Sequence, residues 1–249
     1  MKAIITGASS GIGADFARVL GKMGYDLILV ARRRDRLNEL AEEIGGNVKV
    51  IVKDLSVADN CIELFEETKN ENIDILINNA GFGVFGEFLQ TDLEREISMI
   101  NTNITALHIL MKKFLQLFKD RDNGYILNIA SSAAFMPGPL LSSYYASKAY
   151  VLRLTQAVAK ELSNSKSNVY IGALCPGPVD TEFNKVAGVQ FNISSLKSDY
   201  VAKYAVKKMF KRKTVIIPGL IIRLGTFFTR FVPNKLLLTI SYNIQKKKK

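Results

Sequence analysis

The sequence predicts an α/β fold, a doubly wound parallel sheet of about seven strands with a C-terminal helical extension. Three observations point to it. Short, nearly continuous apolar runs, suited to strands covered on both faces, alternate with stretches whose apolar residues recur at helical spacing. The first run opens directly into a glycine-rich turn. Polar clusters follow the C-terminal ends of the runs, where a parallel sheet with crossover helices gathers its ligands.

The first strand, Ala3-Ile4-Ile5, feeds Thr6-Gly7-Ala8-Ser9-Ser10-Gly11-Ile12-Gly13, after which Ile12, Phe16, Val19, Leu20 and Met23 mark a helix. Glycines there remove Cβ atoms, so a phosphate can approach the backbone while the helix N-terminus offers free N–H groups and its positive dipole end. The spacing is G-x-x-x-G-x-G rather than the general dinucleotide pattern G-x-G-x-x-G, so the turn alone does not decide the ligand.

Leu27 to Ala31 gives a second strand, followed by Arg32-Arg33-Arg34 and a helix with Leu37, Leu40, Ala41 and Ile44 that stops at Gly45-Gly46. Val48 to Val52 gives a third. After a helix carrying Ile62, Leu64 and Phe65, Ile73 to Ile77 forms a fourth strand ending in Asn78-Asn79-Ala80-Gly81. One long helix is expected from Leu93 to Met111. Tyr125 to Ala130 is a fifth strand opening into Ser131-Ser132, and a helix runs from about Ser143 to Leu162. Val169 to Leu174 is a sixth, broken by Pro176-Gly177-Pro178. Ser198 reads as an N-cap for a helix to about Lys211, and Val215-Ile216-Ile217 as the seventh strand.

The whole chain, 1–249, reads as a single domain with 48% hydrophobic and 23% charged residues. Cys61 and Cys175 lie far apart, and the lone His108 offers no metal constellation, so no disulfide framework or metal site is signalled. Too few apolar residues follow Met1-Lys2 for a secretory signal, and a cytoplasmic setting is expected. Much of the net charge of +11 sits late, in Lys207 to Lys213 and Lys246 to Lys249. No motif or aromatic-interleaved stripe accompanies it, which argues against nucleic acid.

Tyr144 and Lys148 carry the chemistry. A spacing of four puts them on one helix face, where an ammonium can lie beside a phenol and favour its ionised form. Alone, the pair reads as a core aromatic beside an exposed lysine. Ser131, at the end of the fifth strand, can hydrogen-bond a substrate oxygen or merely cap a loop. Asn103 can bridge to a water near the lysine or be a tolerated polar residue on a helix face.

These residues occur together with Thr6-Gly7-x-x-x-Gly11-x-Gly13, Asn78-Asn79-Ala80-Gly81 and Pro176-Gly177 in the order and at the distances of the short-chain dehydrogenase/reductase family, which the chain resembles over residues 1 to about 217. The resemblance implies a Rossmann-type sheet, a nicotinamide dinucleotide and an Asn103/Ser131/Tyr144/Lys148 site. By it, Tyr144 is general acid and base, Ser131 polarises the carbonyl, and Lys148 lowers the Tyr144 pKa and holds the nicotinamide ribose. Asn103 holds a water that passes protons to Lys148, while Val179 and Thr181 seat the carboxamide. Gly7, Ser9, Ser10, Ile12, Asn79 and the pair Asp54-Leu55 become cofactor contacts.

NAD sites usually end the second strand with an acid that accepts from the ribose 2'-OH; here Ala31 is followed by Arg32. A guanidinium binds a 2'-phosphate bidentately, so NADP(H) is the expected cofactor, with Ser9 assisting. Arg33 and Arg34 are explained as a charged helix start. The expected reaction interconverts a carbonyl and a secondary alcohol on a small molecule, an apolar ketone or acyl-type compound. A non-catalytic NADPH sensor or scaffold is the alternative, and the four-residue set argues against it.

A substrate lid is expected over about 183–212, with apolar contacts from Phe183, Val186, Val189, Phe191 and Ile193. The extension over about 218–249 is apolar and basic, without the ~20 consecutive apolar residues of a membrane span. Its apolar residues must be buried, as a lid, as the interface of a homo-oligomer (dimer or tetramer), or against an anionic membrane. Lid or interface is favoured over membrane.

Overall fold

The computed structural model describes residues 1–188 and 195–246; Val189, Phe191 and Ile193 of the expected lid, and the last three lysines, lie outside the described residues. Seven parallel strands form one sheet: β1 (Lys2–Thr6), β2 (Asp26–Ala31), β3 (Val48–Val52), β4 (Ile73–Asn78), β5 (Tyr125–Ile129), β6 (Tyr170–Leu174) and β9 (Val215–Ile216), in the order β3-β2-β1-β4-β5-β6-β9. Two short strands unforeseen in the sequence, β7 (Val179–Asp180) and β8 (Leu196–Lys197), pair separately. From β1 the chain winds outward to β3 and returns to β4. The connections therefore diverge beyond the carboxyl ends of β1 and β4, opening a crevice.

Strand residues alternate between two cores because successive side chains point to opposite faces. Ala3, Ile5, Leu27 and Leu29 pack with Phe16 and Leu20 of α1 (Gly11–Lys22) and with Leu37 and Leu40 of α2 (Arg34–Ile44). Ile4, Ile28 and Val30 pack with Leu64 of α3 (Ala58–Thr68), Phe114 and Phe118 of α5 (Leu107–Asp120), and Val151 and Leu152 of α6 (Ser142–Asn164). Truncating a fully buried ring such as Phe114 to alanine costs about 3–5 kcal/mol.

The expected long helix is a composite. α4 (Leu93–Ile100) and α5 are joined through a π-helical turn, Asn101–Ala106. Asp92 caps α4 by accepting from the Arg95 N–H at 2.7 Å. After the five-residue α7 (Phe183–Ala187), α8 (Ser198–Phe210) begins at the expected cap itself, one residue early: Lys197 occupies the cap position and Ser198 lies inside the helix. α8 is not lid. Its Val201, Ala202, Ala205 and Met209 are buried in the core that holds Phe16 and Leu20, because small residues on that face let it seat closely against α1.

The extension folds as α9 (Leu220–Phe228) and α10 (Asn234–Lys246). In the single chain much of it is exposed: Ile221 is 85% and Phe231 70% exposed, because each helix has only one narrow face turned to the protein. No helix among the described residues is long and apolar enough to cross a membrane.

Candidate active site

The glycine turn is shaped by what stands behind it. Gly7 has φ +64° and Gly11 +55°, conformations that favour glycine. A Cβ on Gly13 would lie 2.3 Å from the Gly7 carbonyl oxygen, and one on Gly7 2.8 Å from Ala80 Cα. Asn79 holds β4 to this turn, its Nδ2 donating to the carbonyls of Thr6 (3.0 Å) and Gly7 (3.1 Å). In return the Thr6 hydroxyl accepts from the N–H groups of Asn79 and Ala80. Ser10, the N-cap residue of α1, makes no side-chain cap, which leaves the helix N-terminus directed at whatever occupies the crevice.

That crevice is a cavity of about 730 Å³. Of the residues expected in the site, Gly7, Ser9, Ser10, Ile12, Arg32, Asp54, Leu55, Asn79, Ser131, Tyr144, Lys148, Val179 and Thr181 all line it. Asn103 does not. Its Oδ1 accepts from Phe82 N–H at 3.1 Å, and its Nδ2 donates to the Phe82 carbonyl at 2.9 Å and to Ser147 Oγ at 3.0 Å. The amide expected to hold a water by Lys148 is thus committed to pinning the segment after β4 against α6.

Two backbone ties and one buried chain of side chains place Tyr144 and Lys148. Ser147 Oγ donates to the Tyr144 carbonyl at 2.7 Å, and Lys148 Nζ donates to the Ile129 carbonyl, at the end of β5, at 2.8 Å. Below them Asn78 donates to Asn128, and Asn128 to Thr155 of α6, both at 2.9 Å. This chain through β4, β5 and α6 fixes the helix over the sheet in a buried setting where unpaired polar atoms are costly. Sequence reasoning missed it; an asparagine inside the fifth apolar run, Asn128, and one closing the fourth, Asn78, were its only signal.

Burial pushes the Tyr144 phenol well above its ordinary pKa, opposed by the Ser131 hydroxyl beside it. Lys148 lies 5.8 Å from the Tyr144 ring centre. Burial lowers its own pKa to about 8. Burial disfavours the charged form of both groups, and the Lys148 Nζ is engaged by the Ile129 carbonyl. Ser131 Oγ also accepts from the Ala133 N–H at 3.1 Å, capping the 3₁₀ turn Ser132–Phe135. The cap reading of that serine holds, and its hydroxyl also faces the Tyr144 phenol.

The basic end of the cavity differs from expectation in its leading residue. Arg32 is exposed and only loosely paired with Asp54, at 3.6 Å. Arg33, which looked like a helix start, donates to Ser9 Oγ at 3.1 Å and Ser10 Oγ at 2.8 Å, and to Glu182 at 2.9 Å. Arg36 shares Glu182 at 2.7 Å, and the two guanidiniums hold its carboxyl below the usual range. The clasp spans the crevice from the end of β2 to the segment after β7. Glycines whose Cβ atoms would fill the cradle, a free helix N-terminus and two arginines make a donor set that fits a phosphorylated dinucleotide.

The far end is mainly apolar, with Arg95 on its wall donating to the Val186 carbonyl. Phe82, Met136, Leu141, Phe183 and Val186 surround Tyr144, with the Phe183 ring 5.2 Å from the Tyr144 ring. The α10 helix completes this end with Ser241, Ile244 and Gln245; the Gln245 amide donates to the Tyr145 hydroxyl. His108 meets Tyr150 at 2.7 Å, away from the cavity lining, and Cys61 and Cys175 are buried free thiols. Among the described residues no cluster could hold a metal ion.

A family model described as short chain dehydrogenase matches residues 1–190. An uncharacterised oxidoreductase of Staphylococcus epidermidis is 35% identical over 182 residues, 72% of this chain and 78% of its own length. A 7beta-hydroxysteroid dehydrogenase of Clostridium sardiniense is 34% identical, over 68% of this chain and 66% of its own. Among solved structures, a short-chain dehydrogenase from Sphingobium yanoikuyae in complex with NADPH superposes with a TM-score of 0.84 at 34% identity, covering 92% of this chain and 93% of that one.

Proposed function

The chain belongs to the short-chain dehydrogenase/reductase family and is an oxidoreductase, and from that premise we propose that it is an NADP(H)-dependent reductase of bulky apolar ketones. One observation carries the reading: Ser131, Tyr144 and Lys148 share a single cavity whose other end is the glycine turn with Arg32 and Arg33. The NADPH complex of the Sphingobium relative and the hydroxysteroid substrate named for the Clostridium relative support it.

When bound, a nicotinamide supplies the hydride; the protein supplies position and proton. The carbonyl oxygen is taken to lie between the hydroxyls of Ser131 and Tyr144, and Ser131 stabilises the charge developing on it. The Tyr144 phenol gives its proton to the carbonyl oxygen in reduction and takes one from the alcohol in the reverse direction. Lys148 holds a cation near the phenolate that remains. Its hydrogen bond to the Ile129 carbonyl keeps the ammonium on the cavity floor.

Cofactor choice rests on charge. The end of β2 carries no carboxylate of its own, and Arg32, Arg33 and Ser9 are the groups to receive a 2'-phosphate, with the nearby Asp54 and Glu182 each paired to one of these arginines. Binding through Arg33 competes with Glu182, so the clasp loosens as the cofactor seats. The direct test follows absorbance loss of NADPH and of NADH across a panel running from short aldehydes to ring ketones of steroid size. Turnover only with NADH, or only with small charged carbonyls, overturns the reading.

A further inference from the structure

We propose that α9 docks the protein on an anionic membrane surface. On a helix each residue turns about 100° from the last. That rotation gathers Leu220, Ile221, Leu224, Phe227 and Phe228 into one stripe, continued by Phe231 beyond the helix end, and all six are 48% to 85% exposed. The opposite face does the packing: Ile222 seats against Gly177 and Thr226 is buried. The arrangement inverts a surface helix, with its largest apolar side chains turned outward. A contiguous apolar surface of this kind marks an interaction site.

Charge selects the occupant. By rotation, Arg223 and Arg230 fall along one border of the stripe; both are exposed, and Lys235 follows at the start of α10. From Tyr200 to Lys249 the sequence holds thirteen lysines and arginines and no aspartate or glutamate, whereas residues 1–199 hold 21 basic and 23 acidic residues. A second copy meeting this face through a two-fold axis would set arginine against arginine with no acid in the segment to pair them. An anionic bilayer accepts both components, since rings and leucines enter the acyl boundary while cations stay at the headgroups. The same extension lines the cavity through Ser241, Ile244 and Gln245, so docking would bring the substrate end of the site to the bilayer.

The test is sedimentation of the full chain with phosphatidylcholine vesicles, with and without phosphatidylserine. Wild type should pellet with the anionic vesicles, less with added salt, and weakly with the neutral ones. Arg223→Gln and Arg230→Gln should each weaken partitioning about fivefold. The triple change F227S/F228S/F231S should weaken it at least tenfold, on the order of one buried aromatic. All three rings are half or more exposed, so the melting curve and NADPH binding should be retained. Failure to pellet, equal binding to both vesicles, or a triple variant that splits an oligomer in sizing without changing sedimentation overturns the proposal, the last result assigning the face to a second copy.

Discussion

The two ends of the cavity are built by different means. At the cofactor end, position is set by backbone: a Cβ on Gly13 would strike the Gly7 carbonyl at 2.3 Å, and Asn79 ties β4 to the turn through main-chain acceptors. At the substrate end, position is set by side chains such as Phe183, Val186 and Ile244, which come from two elements distant in sequence. The first end tolerates almost no change without moving a strand. The second can be repacked one side chain at a time, so binding of cofactor and choice of carbonyl are separable properties.

Tyr144 sits where the two ends meet, and breaking it should have the largest effect. Tyr144→Phe should lower kcat by about 10³, within the usual range for a lost general acid, while quenching of NADPH fluorescence still reports binding. Turnover within tenfold of wild type would move the proton donor elsewhere. Next comes the basic cradle. Arg33→Ala should raise the KM for NADPH about 10–100-fold and leave that for NADH nearly unchanged, as expected for one lost charge-assisted contact. Arg32→Ala should act the same way more weakly, and equal effects on both cofactors would sink the 2'-phosphate assignment.

At the other end, Ile244→Ala should change the KM for a bulky ketone by about tenfold, the worth of one to two methylenes, without altering the KM for NADPH. A parallel change in both constants would show that the ends are coupled. The remaining effect is on stability. The Lys148 pKa is lowered from 10.5 to about 8 in the fold, so the unfolded chain binds more protons between those values and wild type gains stability as pH rises through that window. The stability of Lys148→Met relative to wild type should therefore fall by about 2 kcal/mol between pH 7 and pH 10. Urea midpoints read this directly, since loss of the Ile129 carbonyl's partner is a constant offset. A gap that does not change with pH would remove the buried ammonium from the account.

The same contrast explains what could be read without a structure. Apolar runs and glycine spacing are local, so the sheet, the turn and the shared face of Tyr144 and Lys148 were legible. Arg33 was not, because its role depends on Glu182, 149 positions away. Asn103 was placed on the right helix, but its ties to Phe82 were not legible, since nothing local says that its amide meets that segment. The expected lid ran on to about 212 and so took in α8, whose Val201, Ala202 and Ala205 show themselves as core only against the seat offered by α1.

The π-helical turn at Asn101–Ala106 has a consequence for insertions and deletions. A turn that closes on the fifth residue rather than the fourth carries one residue more, and one residue is about 100° of rotation. α4 and α5 are thus two halves of one rod set out of phase: Met99 addresses Val84 and Tyr144, while Leu110, Met111 and Phe114 address the sheet. Wound as a regular helix, the same residues would swing Met99 onto the face of Leu110 and Phe114, whereas deleting one residue from the wide turn would leave both faces where they are. In this protein the wide turn acts as a phase shifter, and its irregularity is what allows a single helix to serve both the core and the active site.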